Sequence, residues 1–310
     1  MVLREEKLRV MLHTHIVDTV VDTIVENRAI GAVVLHDVSG LQAIEPRAVI
    51  DCTGDANIAA AAGFPCITDD RPVPMSLRIS MRDVGEQVTP ALPSWGVDYE
   101  SDAEMPMVAL TIAKDRVADF RTKVIDHNPV DGTALTAAEL SSRRKVLSIV
   151  HYLQKHGYPT HKLDSVSTQL GIRIGRRIAG EYTLTVEDVR KGAKFHDAVA
   201  RGTANLTDMN LMDGSTEQQT HGALAVEVVP AYQIPYRCLV PQGSRNLLAA
   251  GRCMAADGWA LSSARMMPTC AMMGQAAGLA AAWSARGDGS VATIDVTALQ
   301  AELRARGAEF

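Results

Sequence analysis

The sequence predicts an α/β fold, and three observations carry that reading. Residues 16–26, 29–37 and 41–46 read as a three-stranded antiparallel meander. Two short apolar strands, near 48–50 and 246–250, each run into a glycine and then a helix. A long helix rich in small residues is expected over 268–284.

The elements follow in chain order. Arg9, Met11, His13 and His15 alternate with Val10, Leu12 and Thr14, and 16–25 is rich in Val, Thr and Ile, as strands prefer. Asn27-Arg28 and Ser39-Gly40 carry turn chemistry. Ala48-Val49-Ile50 is continuously apolar, which suits a parallel strand buried on both faces. It ends in Asp51-Cys52-Thr53-Gly54-Asp55, and a helix is expected from Ala56 with Asp55 as its N-cap. Residues 64–105 are irregular and proline-rich, and helices are expected over 107–126 and 137–155. Residues 167–181 read as extended chain. A helix over 185–201 opens on the box Thr185-Val186-Glu187-Asp188. Residues 203–226 are loop-rich and 228–237 extended. After the strand 246–250 comes Gly251-Arg252. Pro268 then opens the long helix, which stops near Gly287. The tail 295–310 reads as a charged helix.

Composition narrows the function classes. In 310 residues, 47% are hydrophobic and 22% charged, enough for a sizeable core. The net charge of −5 and the short basic runs (Arg143, Arg144 and Lys145; Arg176 and Arg177) argue against a nucleic-acid partner. No stretch reaches the roughly 18 apolar residues of a membrane span, and the N-terminus lacks a signal-peptide core, so a cytoplasmic location is expected. The five cysteines, at 52, 66, 238, 253 and 270, form no CxxC and fit neither a zinc site nor a cubane cluster. They read as reduced thiols. His13 and His15 share a strand face, but no third ligand is spaced to help, so no metal site is expected.

Two features carry chemistry. At the first, Gly54 permits close approach of backbone beyond the carboxyl end of a buried strand, where open α/β sheets bind ligands. A tight strand-to-helix turn explains it equally well. At the second, Gly251 repeats that grammar, and Gly274, Ala277, Gly278 and Ala281 share one face of the following helix. Such a stripe lets a helix lie against a sheet or a flat ligand, and plain helix packing is the competing reading. The N–H groups near Pro268, Thr269 and Cys270 can stabilise negative charge.

Three longer runs bring a family into view. Ile234 to Pro241, Asn246 to Arg252, and Arg265 to Gly278 (RMMPTCAMMGQAAG) together resemble the C-terminal signature of bacterial FAD-dependent oxidoreductases. Val49 to Ala56 is similar to the family's "ATGD" turn. Gly171-Ile172-Arg173, Arg176-Arg177-Ile178 and Gly180-Glu181-Tyr182 resemble its central motif. The resemblance implies an incomplete Rossmann-like FAD/NAD(P)-binding domain with an antiparallel β-meander, like that of glutathione reductase. It also implies an inserted, mainly helical substrate or cap domain. The implied divisions are 1–63 and 234–290 for the FAD-binding domain, 64–233 for the cap, and 291–310 for a C-terminal helix.

Carried over by position, the cofactor-binding residues are Thr53, Gly54, Asp55, Gly251, Arg252, Pro268, Thr269, Cys270, Gly274 and Gly278. Substrate contacts fall to Arg173, Arg177, Tyr182 and Arg265, and no catalytic acid or base is assigned. The implied activity is FAD-dependent oxidation or reduction of a small organic substrate. The chain departs from the family in several places. Its one G-x-G-x-x-[GA] match, Gly287 to Ala292, follows a helix rather than a strand and is rejected. A βαβ unit of about 30 residues is therefore expected to be missing. That leaves an alternative, a non-catalytic fragment or partner subunit that needs a separate N-terminal FAD-binding chain; a homo-oligomer is the other expected partnership. Arg252 stands where the broader superfamily often has Asp, Ile174 where an acidic residue is usual, and Asp257-Gly258-Trp259 replaces a more polar triplet. An iron–sulfur cluster follows only from the family's association with heterodisulfide-reductase-type subunits, and these cysteines give it no support.

Overall fold

The computed structural model describes residues 4–24, 27–69, 73–113, 116–206 and 227–310. In chain order the elements are β1 (His15–Ile24), β2 (Asn27–Asp37), β3 (Gly40–Ile44), β4 (Val49–Asp51), α1 (Asn57–Ala61), β5 (Cys66–Ile67), β6 (Arg78–Asp83), β7 (Met107–Ala113), β8 (Val117–Thr122), α2 (Gly132–Lys155) and β9 (His161–Val166). There follow β10 (Arg177–Ile178), α3 (Val186–Lys191), β11 (Ala198–Gly202), β12 (Tyr232–Pro235), β13 (Leu247–Ala249), α4 (Gly258–Ala264), α5 (Met267–Arg286) and α6 (Val296–Ala305). These divide into two compact units. The first comprises Met1–Ile67, Arg176–Thr203 and Pro230–Phe310; the second comprises Thr68–Gly175 and Ala204–Val229.

In the first unit β4 and β13 run parallel, pairing Val49 with Leu247, Ile50 with Leu248 and Asp51 with Ala249. The two short apolar strands read from the sequence are thus neighbours in one sheet. Alternation sends Val49, Leu247 and Ala249 into a core with Ile30, Val33 and Leu35 of the antiparallel meander β1-β2-β3. Helix α5 packs on the same two strands. It buries Met273, Ala276, Ala277, Ala280, Ala281 and Ser284, a stripe at helical spacing. Among the described residues β4 pairs with no strand other than β13.

The second unit corrects the expected helical cap. It is a four-stranded antiparallel sheet, ordered β7-β8-β6-β9, with one long helix, α2. Residues 107–126, expected to be helical, form the β7-β8 hairpin. Burial along β8 alternates, with Ala118, Phe120 and Thr122 inward. That period of two, with Val, Thr, Ile and Phe in the two runs, favours a strand over a helix. α2 starts at Gly132 rather than 137, because Asp131 caps it by accepting from Ala134 N at 2.7 Å. Its Ala138, Val146, Ile149, Val150 and Leu153 pack with Ile79, Met81 and Phe120.

The unit boundaries also differ from the expected 64–233. Residues 64–67, 176–203 and 230–233 belong with the first unit, because β10 pairs with β5 and β11 pairs with β12. The helix expected over 185–201 has its capping box but ends at Lys191, since Gly192 turns left-handed at φ 61° and the chain re-emerges as β11. Most of the expected loop 203–226 lies outside the described residues.

Candidate functional site

The turn after β4 is built around a carboxylate inside the protein. Asp51 is fully buried. Its Oδ1 accepts from Thr53 N at 3.0 Å and from Thr53 Oγ1 at 2.7 Å, and its Oδ2 accepts from Ala59 N at 3.0 Å. Thr53 Oγ1 in turn accepts from Asn57 N at 2.9 Å. Thr53 therefore anchors the start of α1. The expected N-cap, Asp55, does not: the cap position is Ala56, left-handed at φ 50° and without a side-chain cap bond. The Asp55 carboxylate is drawn away to Arg252, Oδ1 to Nη1 at 3.2 Å. Gly54 sits at φ +86°, and a Cβ there would stand 2.5 Å from Arg252 Nη2. The glycine thus serves both the turn and the guanidinium lying over it.

The partner strand ends in the same manner. Gly251 has φ +81°, and a Cβ on it would be 3.9 Å from Cys270 Sγ, in the first turn of α5. The Cys270 thiol is raised by burial, with Arg252 and Arg265 acting the other way. Arg265 immediately precedes Met266, the N-cap of α5, where no side chain caps the helix and no acidic residue lies in the first turn. Its Nε is sealed from solvent and has no hydrogen-bond partner among the described residues. Burial, and then the Arg252 charge, lower the Arg265 pKa from its ordinary value.

The structure thus gathers Thr53, Gly54, Asp55, Gly251, Arg252 and Cys270 at the carboxyl ends of one parallel pair, with Arg265 just before, and Pro268 and Thr269 within, the start of the helix that carries Cys270. It leaves other candidates elsewhere. Gly274 and Gly278 do not lie against sheet or cluster. Their Cβ positions meet nothing within 4 Å, and they border an outer groove with Trp283, Arg286 and Arg306. The buried stripe of α5 runs one position away, through Met273, Ala277 and Ala281. Arg177 is fully buried, its Nε donating to Ala256 O at 2.9 Å. The Tyr182 hydroxyl donates to Asp188 at 2.9 Å and its ring lies under Arg237, which is structural pairing. Arg173 belongs to the second unit and donates to Pro74 O at 2.6 Å. That unit has its own cavity of about 400 Å³, with Thr68, Asp69, Asp126, His127 and Asn128 in its wall.

Sequence reasoning did not single out three residues that shape this site. Asp51 organises the turn. Arg176 pins it from outside, Nε donating to Asp55 O and Nη2 to Asn57 Oδ1, each at 3.0 Å. Asn246 clips the meander to β13, accepting from Ile30 N at 2.8 Å and donating to Ile30 O at 2.9 Å. Asp51 and Asn246 did leave a signal, a polar residue at the boundary of an apolar run. Arg176 left none.

Paired parallel strands, each followed by a left-handed glycine before helical structure, form the kind of strand end beyond which open α/β sheets bind ligands. The chain belongs to the FAD dependent oxidoreductase family, whose profile matches residues 1–303, and FAD is that family's cofactor. Comparison with curated proteins gives no match. Among solved structures, the aromatic hydroxylase CabE of angucycline biosynthesis aligns with 55% of this chain at 14% identity and a TM-score of 0.27. The chain spans 30% of that protein's length, and so slight a likeness carries no argument about substrate. Among the described residues no group of three His, Cys, Asp or Glu side chains could hold a metal ion, and no helix is long and apolar enough to cross a membrane.

Proposed function

We propose that this chain supplies the flavin-side half of an FAD site in an oxidoreductase acting on a small organic substrate. We further propose that a strand–G-x-G-x-x-G–helix segment outside these 310 residues supplies the pyrophosphate grip. The observation that carries the reading is the pair of strand ends. Gly54 and Gly251 are both at positive φ, Gly251 faces the first turn of α5, whose start carries no side-chain cap, and the Arg265 Nε just before it has no partner among the described residues. These features fit a flavin nucleotide, which needs close backbone approach and donors for its negative groups.

When bound, FAD supplies the electron transfer itself. The chain's residues do the holding. Asp51 and Thr53 fix the turn so that backbone at Gly54 can approach a ligand closely. The N–H groups at the start of α5, with no acidic residue nearby in its first turn, favour negative charge beyond them. Asp55 holds Arg252 over that turn.

Two features support the missing segment. β4 has an open side among the described residues, and a parallel strand is normally paired and covered. The outer groove of α5, with two glycines that meet nothing, has the form of a helix-packing surface. Without the segment, several charge-assisted hydrogen bonds of about 1.5–3 kcal/mol each are lost, which weakens binding by several powers of ten. The purified 310-residue chain should therefore be colourless. Adding a strand–G-x-G-x-x-G–helix segment, fused or as a separate chain, should restore a yellow flavin spectrum. Purification of the chain alone with stoichiometric FAD would overturn the account.

A further inference from the structure

The second unit carries an open groove along α2, of about 390 Å³, within the range of small-molecule sites. One wall is helical: Leu140, Arg144 and Ser148 follow one another at intervals of four residues and share a face. The other wall is the chain from Trp95 through Val97 to Tyr99. That second wall is pinned to the first. Val97 N donates to Ser148 Oγ at 3.0 Å, and Ser148 is buried. Asp98 Oδ1 accepts from Lys155 Nζ at 2.9 Å, and His151 Nε2 lies 3.3 Å from the same oxygen. Tyr99 packs against the core of the unit. The groove is therefore built before any ligand arrives. Yet Trp95, Val97 and Leu140 are each more than half exposed, at 55, 54 and 56%. A single exposed apolar side chain is ordinary. Three on the facing walls of a fixed groove, with polar groups beside them, mark a binding surface.

We propose that this groove binds a small aromatic carboxylate, its ring against Trp95 and Leu140 and its carboxylate on Arg144. The charge of the walls sets the sign of the ligand. Arg144 and Lys145 line the groove, and among the described residues no acidic side chain does. The neighbouring Arg143 is taken by Glu139 at 2.6 Å, whereas Arg144 has no hydrogen bond or ion pair among the described residues. A guanidinium presents a planar fork that fits a carboxylate with two parallel bonds. The apolar side chains set the rest of the molecule. An indole beside a leucine favours a flat apolar group, and one or two fused rings suit the volume. A cationic ligand would meet two bases, and a purely apolar one would leave the guanidinium without a partner. The site belongs to the second unit alone and does not depend on the flavin reading.

The test titrates the 310-residue chain with 2-naphthoate, 2-naphthamide and 2-naphthylmethylammonium at low ionic strength, by calorimetry and by the indole N–H resonances in NMR. The chain has three tryptophans, and Trp95→Phe identifies the resonance of Trp95. Naphthoate should bind about five- to tenfold more tightly than the amide, the part of a charge-assisted bond that survives at an exposed site. It should also shift the Trp95 resonance. Arg144→Gln should bring naphthoate and amide to equal affinity and leave amide binding unchanged. Leu140→Asp should weaken both, naphthoate the more. Arg144 and Leu140 are exposed, so both variants should melt with the native chain. Arg144→Lys, which keeps the charge and loses the fork, should retain part of the preference, and it stands in should the Gln variant fail to fold. Equal affinity of the native chain for naphthoate and amide overturns the proposal, as does tighter binding of the ammonium probe. Naphthoate binding that leaves the Trp95 resonance in place and survives Arg144→Gln lies elsewhere and overturns the site, as does failure to bind any of the three.

Discussion

The two units solve the same problem, holding a sheet together, with different materials. The second stacks α2 on a four-stranded sheet through Phe120, Ile79, Met81, Ile149 and Leu153, all deeply buried apolar side chains. The first has a parallel pair of three residues each, and there buried polar groups bear much of the organisation: Asp51 under the turn and Asn246 across to the meander. Apolar packing is non-directional and forgiving of exact position. Hydrogen bonds to a buried carboxylate fix backbone N–H groups at defined places. A unit that must present backbone to a ligand gains from the second kind of support.

Deleting one side chain from each unit sets the two materials against each other. Phe120→Ala should cost about 3–5 kcal/mol in urea unfolding, the usual range for a buried phenylalanine. A loss below about 1 kcal/mol would mean that α2 and the sheet are not a packed core. Asp51→Ala should cost less, on the order of 3 kcal/mol, from buried N–H groups left without acceptors. Its signature should be local: faster amide exchange at residues 53–59, with the β7-β8 hairpin unaffected. Uniform exchange through both units would erase the contrast.

The smallest effect expected is pH-linked and lies wholly in the first unit. Burial works to raise the Asp197 carboxyl, but the bidentate Arg237 fork, at 2.8 and 3.2 Å, outweighs it and holds the pKa below the usual carboxylate range. A folded-state pKa lower than the unfolded one stabilises above the unfolded value, and the contribution is lost as pH falls through the folded value. The native chain should therefore lose this stability below about pH 4. Arg237→Met should be less stable at pH 7 and show a shallower acid limb in melting temperature. An unchanged acid limb would mean that the fork contributes nothing.

What the sequence disclosed followed the same division. Glycine punctuation after apolar runs led to β4, β13 and the strand ends, because a left-handed turn leaves a residue-type signature. The C-terminal run from Pro268 was legible because proline and glycine mark both ends of α5. The hairpin at 107–122 was misread as helix: its alternation is short, and the turn's left-handed residue, Arg116, is not a glycine. Asp51 lay within a recognised motif, yet its role depends on Ala59 eight positions later, which no local pattern announces. The outward turn of Gly274 and Gly278 was equally hidden. A stripe of small residues fixes a face of the helix, and only packing decides which way that face looks.

The strand end of β4 also bears on how the protein can be handled at the bench. Of the five thiols, Cys238 and Cys253 are buried, and burial pushes the Cys253 thiol up to about 12. Cys66 and Cys270 are partly covered, and Cys52 alone is exposed. Cys52 is thus the most accessible attachment point, one residue before Thr53, at the mouth of the proposed site. Burial, then the charges of Asp51 and Cys270, raise its pKa, so alkylation should be slow at neutral pH and quicken as the solution becomes alkaline. A fluorophore placed there would sit where the ligand is expected to arrive, and the protein would carry its own occupancy gauge without an introduced cysteine.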